Sequence, residues 1–478
     1  MGRKVKLIES TLRDGQQSWW ATRMTTAMLL PALPALDRAG FHAIEVFGQA
    51  VMDASVRYLK ENPWDRFRLI RARVLKTPLM MINGGLGFSV GRGAMPDDML
   101  ALYYKACAQC GVDMFFVLDG MNDLRNLDIP IRAAKQAGKQ FYGSIVYSIS
   151  PVHTDAHFIE KTRQLVQKGV DALVLKDPNG VLTPDRVRSL VPAMCEAASP
   201  VPVYCHSHCV TGLGPATNLE AVKYGADALW TCTRSLANGS SLPATDAMAR
   251  HLERSGYEVG LDPAAVAEVE AHFRSMAERH HKPVGTPAEY DPAYYVHQMP
   301  GGMISNFRAH LAQLGIQDRL EEVLEECPRV REDVGWVQMV TPFSQIIGTQ
   351  AALNVLYGRY KVVIRDIEKL VTGYYGQTPA PPDPNLVDRA SSRMKPITER
   401  AAAHVPPAVD RFRREHGPFE SDEELLLAYF FMPAQLREMA DAGPISEVDA
   451  AAGNSLVELV REVARRKGVT RFHYVQQA

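Results

Sequence analysis

The segment Cys205-His206-Ser207-His208-Cys209 holds the densest group of side chains in the chain that could bind a metal or move a proton. In an extended backbone, side chains two apart point the same way. Both imidazoles then face one centre, and Cys205, Ser207 and Cys209 face the opposite side. Two neutral imidazoles on one face can share a divalent ion, but alone they read equally as packed or pH-sensitive histidines. Asp14, in Thr11-Leu-Arg-Asp-Gly15, could add a carboxylate and complete a three-ligand site of the Zn, Mn or Co class; it could equally cap a turn before Gly15. Lys176, in Val174-Leu-Lys-Asp-Pro178, is an awkward neighbour for a cation. Either it pairs with Asp177 or Asp119, or burial lowers its pKa until the neutral amine can be modified. Carbamylation by carbon dioxide would make it an anionic oxygen ligand.

These residues can meet only if the fold carries their segments to one place. Short runs rich in Val, Ile, Leu and Phe recur at the spacing of a strand plus a crossover helix: Val5 to Ile8, Ala43 to Phe47, Leu79 to Ile82, Met114 to Leu118, Phe141 to Tyr147, Ala172 to Leu175, Val201 to Cys205 and Ala228 to Cys232. Between them lie helix-period segments such as Pro184 to Ala198, with Val187, Leu190, Val191 and Met194 on one face. Eight such units predict an α/β fold of the (β/α)8 TIM-barrel type. In that fold chemistry sits at the carboxyl ends of the strands, which selects Asp14, Asn83, Asp119, Lys176, His206 and His208.

After about residue 285 the pattern changes to amphipathic helices, for example Asp318 to Glu326 and Thr349 to Leu356. The expected organisation is a barrel over 1–285 and a mainly helical region over 286–478. The Pro-rich stretch Thr378 to Pro384 should interrupt the helices before a last section near Ile397. The 478 residues carry 53 Lys plus Arg against 54 Asp plus Glu, so no global positive field gathers nucleic acid or anionic lipid. No apolar run reaches the length of a membrane helix; the best, Leu425 to Met432, is closed by Pro433. Seven scattered cysteines and the lack of a signal-like N-terminus suit a cytoplasmic protein. Cys107 and Cys110 have redox spacing but fall in a helix-period stretch and read as buried thiols. The glycines from Gly84 to Gly93 fit no phosphate loop and read as a loop at the barrel mouth, and Trp19-Trp20 reads as core or lid packing. The basic cluster Arg461, Arg465, Arg466 and Lys467 reads as a solvated helix end.

Several motifs resemble the carboxyltransferase domain of biotin-dependent enzymes: the transcarboxylase 5S subunit, the oxaloacetate decarboxylase alpha subunit and pyruvate carboxylase. They are Glu9-Ser-Thr-Leu-Arg-Asp-Gly-Gln-Gln-Ser18 with Ala21-Thr-Arg-Met24, Asn62-Pro-Trp-Asp-Arg66, Asn122-Asp-Leu-Arg-Asn126 and Leu175-Lys-Asp-Pro-Asn-Gly180. The His206/His208 pair, Gln298-Met-Pro-Gly-Gly302, Val340-Thr-Pro-Phe-Ser-Gln345 and Gly348-Thr-Gln350 extend the likeness into the helical region. The resemblance implies a barrel followed by a helical funnel, with Asp14, His206, His208 and a carbamylated Lys176 holding the metal. It implies carboxybiotin brought by a separate biotin carboxyl carrier protein, with a biotin carboxylase as a further partner, and a homo-oligomeric assembly. It also implies a keto substrate carboxylated through an enolate. Ser240, in Gly239-Ser-Ser-Leu-Pro243, matches the family's proton-shuttling Thr. Arg13 and Gln17 match first-strand donors, and Asp53 matches an acid on the biotin side.

The chain departs from the family where the acceptor is read. The family's Arg-Gly after the third strand is replaced in Met81-Ile-Asn-Gly-Gly-Leu-Gly87, leaving Asn83 at that place, and its biotin-side Tyr aligns near Arg92. Leu242 replaces a Gln. Met394-Lys395-Pro396 is not a biotin acceptor, so the carrier is expected on another polypeptide. The expected activity is metal-dependent carboxyl transfer to a pyruvate- or oxaloacetate-like acceptor or a variant of it. The alternatives are a biotin-independent carbon–carbon lyase or decarboxylase with the same metal site, and an inactive scaffold.

Overall fold

The computed structural model describes residues 2–87, 94–300, 311 and 317–449. Arg92, Gly301, Gly302 and the basic cluster from Arg461 to Lys467 lie outside these residues. Eight parallel strands close a barrel in chain order. They are β1 (Lys6–Glu9), β2 (Ala43–Gly48), β3 (Leu79–Gly84), β4 (Met114–Leu118), β5 (Gln140–Val146), β6 (Ala172–Asp177), β7 (Val203–Ser207) and β8 (Ala228–Thr231). β1 closes the ring by pairing Glu9 with Thr231.

Every apolar run became a strand because a parallel barrel buries both faces of each strand. Ile8, Met80, Met114, Phe116, Tyr142, Val174, Tyr204 and Trp230 fill the interior. The alternate residues, among them Leu7, Met81, Val117, Leu173 and Cys205, pack against the surrounding helices. The strand ends differ from the apolar runs in one useful respect. β6 runs on through Lys176 and Asp177, and β7 through His206 and Ser207, so these polar residues lie inside the ladder rather than after it. Their register is fixed: Lys176 pairs with His206, and Asp177 with Ser207.

The crossover helices start where the sequence offers caps. Thr183 accepts from the Arg186 amide ahead of the Pro184–Ala198 helix, whose Val187, Leu190, Val191 and Met194 are buried. Cys107 and Cys110 lie on the Asp97–Cys110 helix, both buried, and burial raises both thiols.

Beyond β8 the described residues form no further strand. The expected helix over 318–326 runs from Leu320 to Asp333, because buried Cys327 and Val330 keep it on the core through Pro328. The second spans Phe343–Tyr357, longer than the 349–356 of the sequence pattern. With the Arg365–Val371 helix they enclose a second apolar cluster of Val323, Val330, Phe343, Ile347, Ile367 and Leu370. The Pro-rich stretch leads directly into a helix, Pro384–Ser391, with Asp383 as its cap. The last helices return to the barrel, where Leu425, Leu426, Phe430 and Phe431 join the barrel's own cluster. No helix among the described residues is long and apolar enough to cross a membrane.

A polar seam ties the helical region to the loop after β5. Arg331, buried, donates to the Ile149 carbonyl and to Ser148 Oγ, and Gln298 bonds Ser148 and both backbone groups of Ile149. Burial pulls the Arg331 guanidinium down to about 9.

Candidate metal centre and active site

The mouth of the barrel brings together four of the sequence-selected residues. Asp14, His206 and His208 place one ligand atom each within 4.8 Å of one another, all three buried. Asp14 Oδ2 lies 3.2 Å from His208 Nε2 and 3.5 Å from His206 Nε2. Lys176 Nζ lies 3.1 Å from His206 Nε2. The alternation inferred for the seventh segment holds. Cys205 packs outward, and Ser207 donates to Asp177 Oδ2 at 2.8 Å behind the sheet, while the two imidazoles stack 5.2 Å apart on the inner side. Gly180 allows this packing, because at its φ of +65° a Cβ would meet the His208 carbonyl at 2.9 Å.

Asp14 sits in the wide, π-helical turn Thr11–Gly15 just after β1, closed by the Gly15 amide on the Ser10 carbonyl. The cap of that turn is Ser10, whose hydroxyl accepts from the Asp14 amide, so the Asp14 carboxylate is free to face the barrel axis. Burial pushes this carboxyl up, but Arg13, His208 and His206 outweigh it and hold it well below the usual carboxylate range. His206 is pushed far down by burial and by Lys176, which keeps it neutral. An ionised Asp14 carboxylate and a neutral His206 imidazole are donors of the kind a divalent ion requires.

Lys176 is buried beneath this group, its ammonium 5.2 Å from the Phe116 ring, with Trp230 also against His206. Burial first, and Arg13 second, lower its pKa from 10.5 to about 8. Neither of the carboxylates that could have paired with it is available. Asp177 accepts from the Val181 and Leu182 amides and from Ser207; Asp119 accepts from the Met121 and Asp123 amides and from Asn126. Both are turn-forming carboxylates.

Arg13 is held on both sides. Its Nε meets Glu45 Oε1 at 2.6 Å and its Nη2 lies 2.7 Å from Asp14 Oδ2. Glu45, buried, also accepts from Ser10 Oγ at 2.6 Å and from Trp230 Nε1 at 3.1 Å. The sequence reading missed Glu45. Its only signal is a lone charged residue inside the apolar run Ala43 to Phe47. Glu9, at the end of β1, was missed likewise; burial raises its carboxyl to about 7.

Ser240 stands at the rim, half-buried, with Oγ donating to the Ser18 carbonyl at 3.2 Å and its own carbonyl accepting from His208 Nδ1 at 2.9 Å. Gln17 is exposed at the same rim. Asp53 lies on the Gln49–Ala54 helix, paired with Arg57 at 2.6 Å and raised chiefly by burial. Asn83 is not part of this gathering. It pairs in register with Val117, which packs outward, and its amide sits against the Tyr104 hydroxyl in the helical layer. The strand-end rule selected the position but not the face.

Comparison with known proteins finds relatives along most of the chain. The conserved carboxylase domain family matches residues 294–455, and the HMGL-like family matches residues 104–272. A pyruvate carboxylase subunit of Methanocaldococcus jannaschii is 39% identical over 88% of this chain and 75% of its own length. The methylmalonyl-CoA carboxyltransferase 5S subunit of Propionibacterium freudenreichii is 34% identical over 90% of this chain and 86% of its own. The carboxyl transferase domain of Rhizobium etli pyruvate carboxylase, solved with pyruvate and biocytin, superposes with a TM-score of 0.84 at 26% identity, covering 92% of this chain and 78% of that one. With a closed barrel, a helical second region and a buried Asp-His-His cluster at its mouth, the chain belongs to the carboxyltransferase family of biotin-dependent enzymes.

Proposed function

We propose that this protein moves a carboxyl group between carboxybiotin, carried by a separate polypeptide, and an enolisable 2-oxo acid. The observation that carries the reading is the convergence of Asp14, His206 and His208 over a buried Lys176, in a member of this family. A divalent ion held by these residues would supply Lewis-acid stabilisation of the enolate oxygen. Lys176 contributes a fourth donor once its neutral amine adds to carbon dioxide and releases a proton, giving an anionic carbamate. Its burial favours that reaction, as does the engagement of Asp177 and Asp119 by other donors.

The N–CO2 bond of carboxybiotin breaks, giving carbon dioxide and a biotin nitrogen that needs a proton. Ser240 Oγ, at the rim, passes its proton to that nitrogen as it takes one from the acceptor's methyl or methylene carbon, and the enolate carbon so formed attacks the carbon dioxide. The Ser240 carbonyl anchors His208, so one residue serves both the proton path and the ligand frame. Gln17 offers an amide at the mouth. Arg13, neutralised by Asp14 and Glu45, keeps Asp14 ionised and oriented. With Asn83 turned outward, the acceptor is read differently from pyruvate in the family, and a variant 2-oxo acid is the proposed substrate.

The partners in this reading are a biotin carboxyl carrier protein and a biotin carboxylase, with the helical residues after 285 as the entry for biotin. The test is exchange of labelled carboxyl between a carboxylated carrier and a panel of 2-oxo acids. Exchange that needs the carrier supports the reading. Ion-dependent cleavage of a β-keto acid without any carrier would assign the chain as a carbon–carbon lyase instead.

A further inference from the structure

Four residues at the barrel mouth close a ring of polar contacts. Ser18 Oγ donates to Asp14 Oδ1 at 3.0 Å; Ser240 Oγ donates to the Ser18 carbonyl at 3.2 Å; His208 Nδ1 donates to the Ser240 carbonyl at 2.9 Å; His208 Nε2 returns to Asp14 Oδ2 at 3.2 Å. Ser18 enters the ring twice, through its hydroxyl and through its backbone.

The consequence for Asp14 is a division of labour between its two oxygens. Oδ1 is engaged by Ser18. Oδ2 is the oxygen facing both imidazoles, and it is also the one Arg13 Nη2 approaches at 2.7 Å. Without the Ser18 hydroxyl the carboxylate is free to turn about its Cβ–Cγ bond and offer both oxygens to Arg13, in the paired geometry guanidinium favours. The next residue reinforces the placement. Trp19 Nε1 donates to the Asn238 carbonyl at 3.3 Å, and its ring lies over Gly239, where a Cβ would come within 2.8 Å of it. Ser18 is thereby pinned against the loop that carries Ser240.

We propose that Ser18 is the positioning residue that fixes Asp14 as a one-oxygen metal ligand and prevents Arg13 from capturing the whole carboxylate. The proposal rests on reading Asp14 and His208 as ligands, and gives a role to Ser18, the residue that closes the Glu9–Ser18 motif. Partners of this kind behind a ligand are worth about 10- to 100-fold in metal affinity.

The test uses the full chain and the metal alone. Zn2+ affinity is measured by competition with a chromophoric chelator, and Co2+ is added to read the ligand field from its absorption bands. Ser18→Ala is expected to weaken Zn2+ binding by about 10- to 100-fold and to shift the Co2+ bands, with the melting temperature of the metal-free chain little changed. Ser18→Thr keeps the hydroxyl and should restore both readings. Ser18→Val, near-isosteric with the threonine variant, lacks the hydroxyl and should behave like alanine, so the Thr and Val pair decides the matter even if the alanine chain does not fold. Equal affinity and identical Co2+ bands in Ser18→Thr and Ser18→Val would overturn the proposal while leaving the metal site standing. A wild-type chain that takes up neither ion would overturn the ligand reading, and this proposal with it.

Discussion

Lys176 Nζ lies 3.1 Å from His206 Nε2, while the adjacent Asp177 has its carboxylate turned behind the sheet to Ser207 and two backbone amides. Burial, and Arg13 after it, bring this amine down to about 8, so the neutral form that can become a ligand is accessible near neutral pH. Lys176→Ala should therefore lower metal content and carboxyl transfer together, while the barrel still folds. The metal-to-protein ratio after dialysis checks it, and full occupancy would remove Lys176 from the ligand set.

The same burial sets a pH dependence. With its pKa near 8 rather than 10.5, Lys176 is neutral in roughly a tenth of molecules at pH 7 and in roughly nine-tenths at pH 9. Only the neutral amine adds to carbon dioxide. Capture of 13C-labelled carbon dioxide as a carbamate, followed by NMR, should rise steeply between pH 7 and 9 and then level off. A flat profile over that range contradicts the lowered pKa.

Ser240→Ala removes a hydroxyl and keeps the carbonyl that anchors His208. Zn2+ affinity should therefore stay at the wild-type value while carrier-dependent transfer slows by about two to four decades, the usual range for a lost proton-transfer group. Unchanged turnover would exclude Ser240 from the proton path.

Glu9 offers a stability measurement at the same end of the barrel. Its Oε1 accepts from the Thr11 amide at 3.0 Å, but burial raises its folded pKa from 4.5 to about 7. The folded chain thus holds a proton that the unfolded chain has released, so Glu9 costs stability progressively as pH rises from about 4.5 through 7. Glu9→Gln does not titrate. Its stability relative to wild type should be near parity at pH 4.5 and higher by on the order of 1–3 kcal/mol at pH 8, measured by urea unfolding. A pH-independent difference would contradict the shift.

The barrel was legible because parallel strands buried on both faces are written as continuous apolar runs, and all eight runs are strands. The boundaries were less legible where they matter most. β6 and β7 extend through Lys176-Asp177 and His206-Ser207, polar residues that the apolar runs excluded. The terminal helices after Val409 were foreseen as helices, but nothing in their periodicity says that Leu425 and Phe430 pack on the barrel rather than on the Val323–Leu370 cluster.

By itself the sequence determined which residue types could meet an ion, since the His206/His208 spacing on a strand and the residue following β1 are local facts. It could not determine which partner each side chain finds across the barrel. Ser18 and Asp14 are four residues apart, yet Ser18 and Ser240 are separated by 222. The outward turn of Asn83, the engagement of Arg13 by Glu45, and the choice of His206 over Asp177 as the neighbour of Lys176 were decided by tertiary structure alone. The reason is geometric. Alternation along a strand is written in the chain, whereas the register between strands and the closure of the ring exist only once all eight have been packed around one axis.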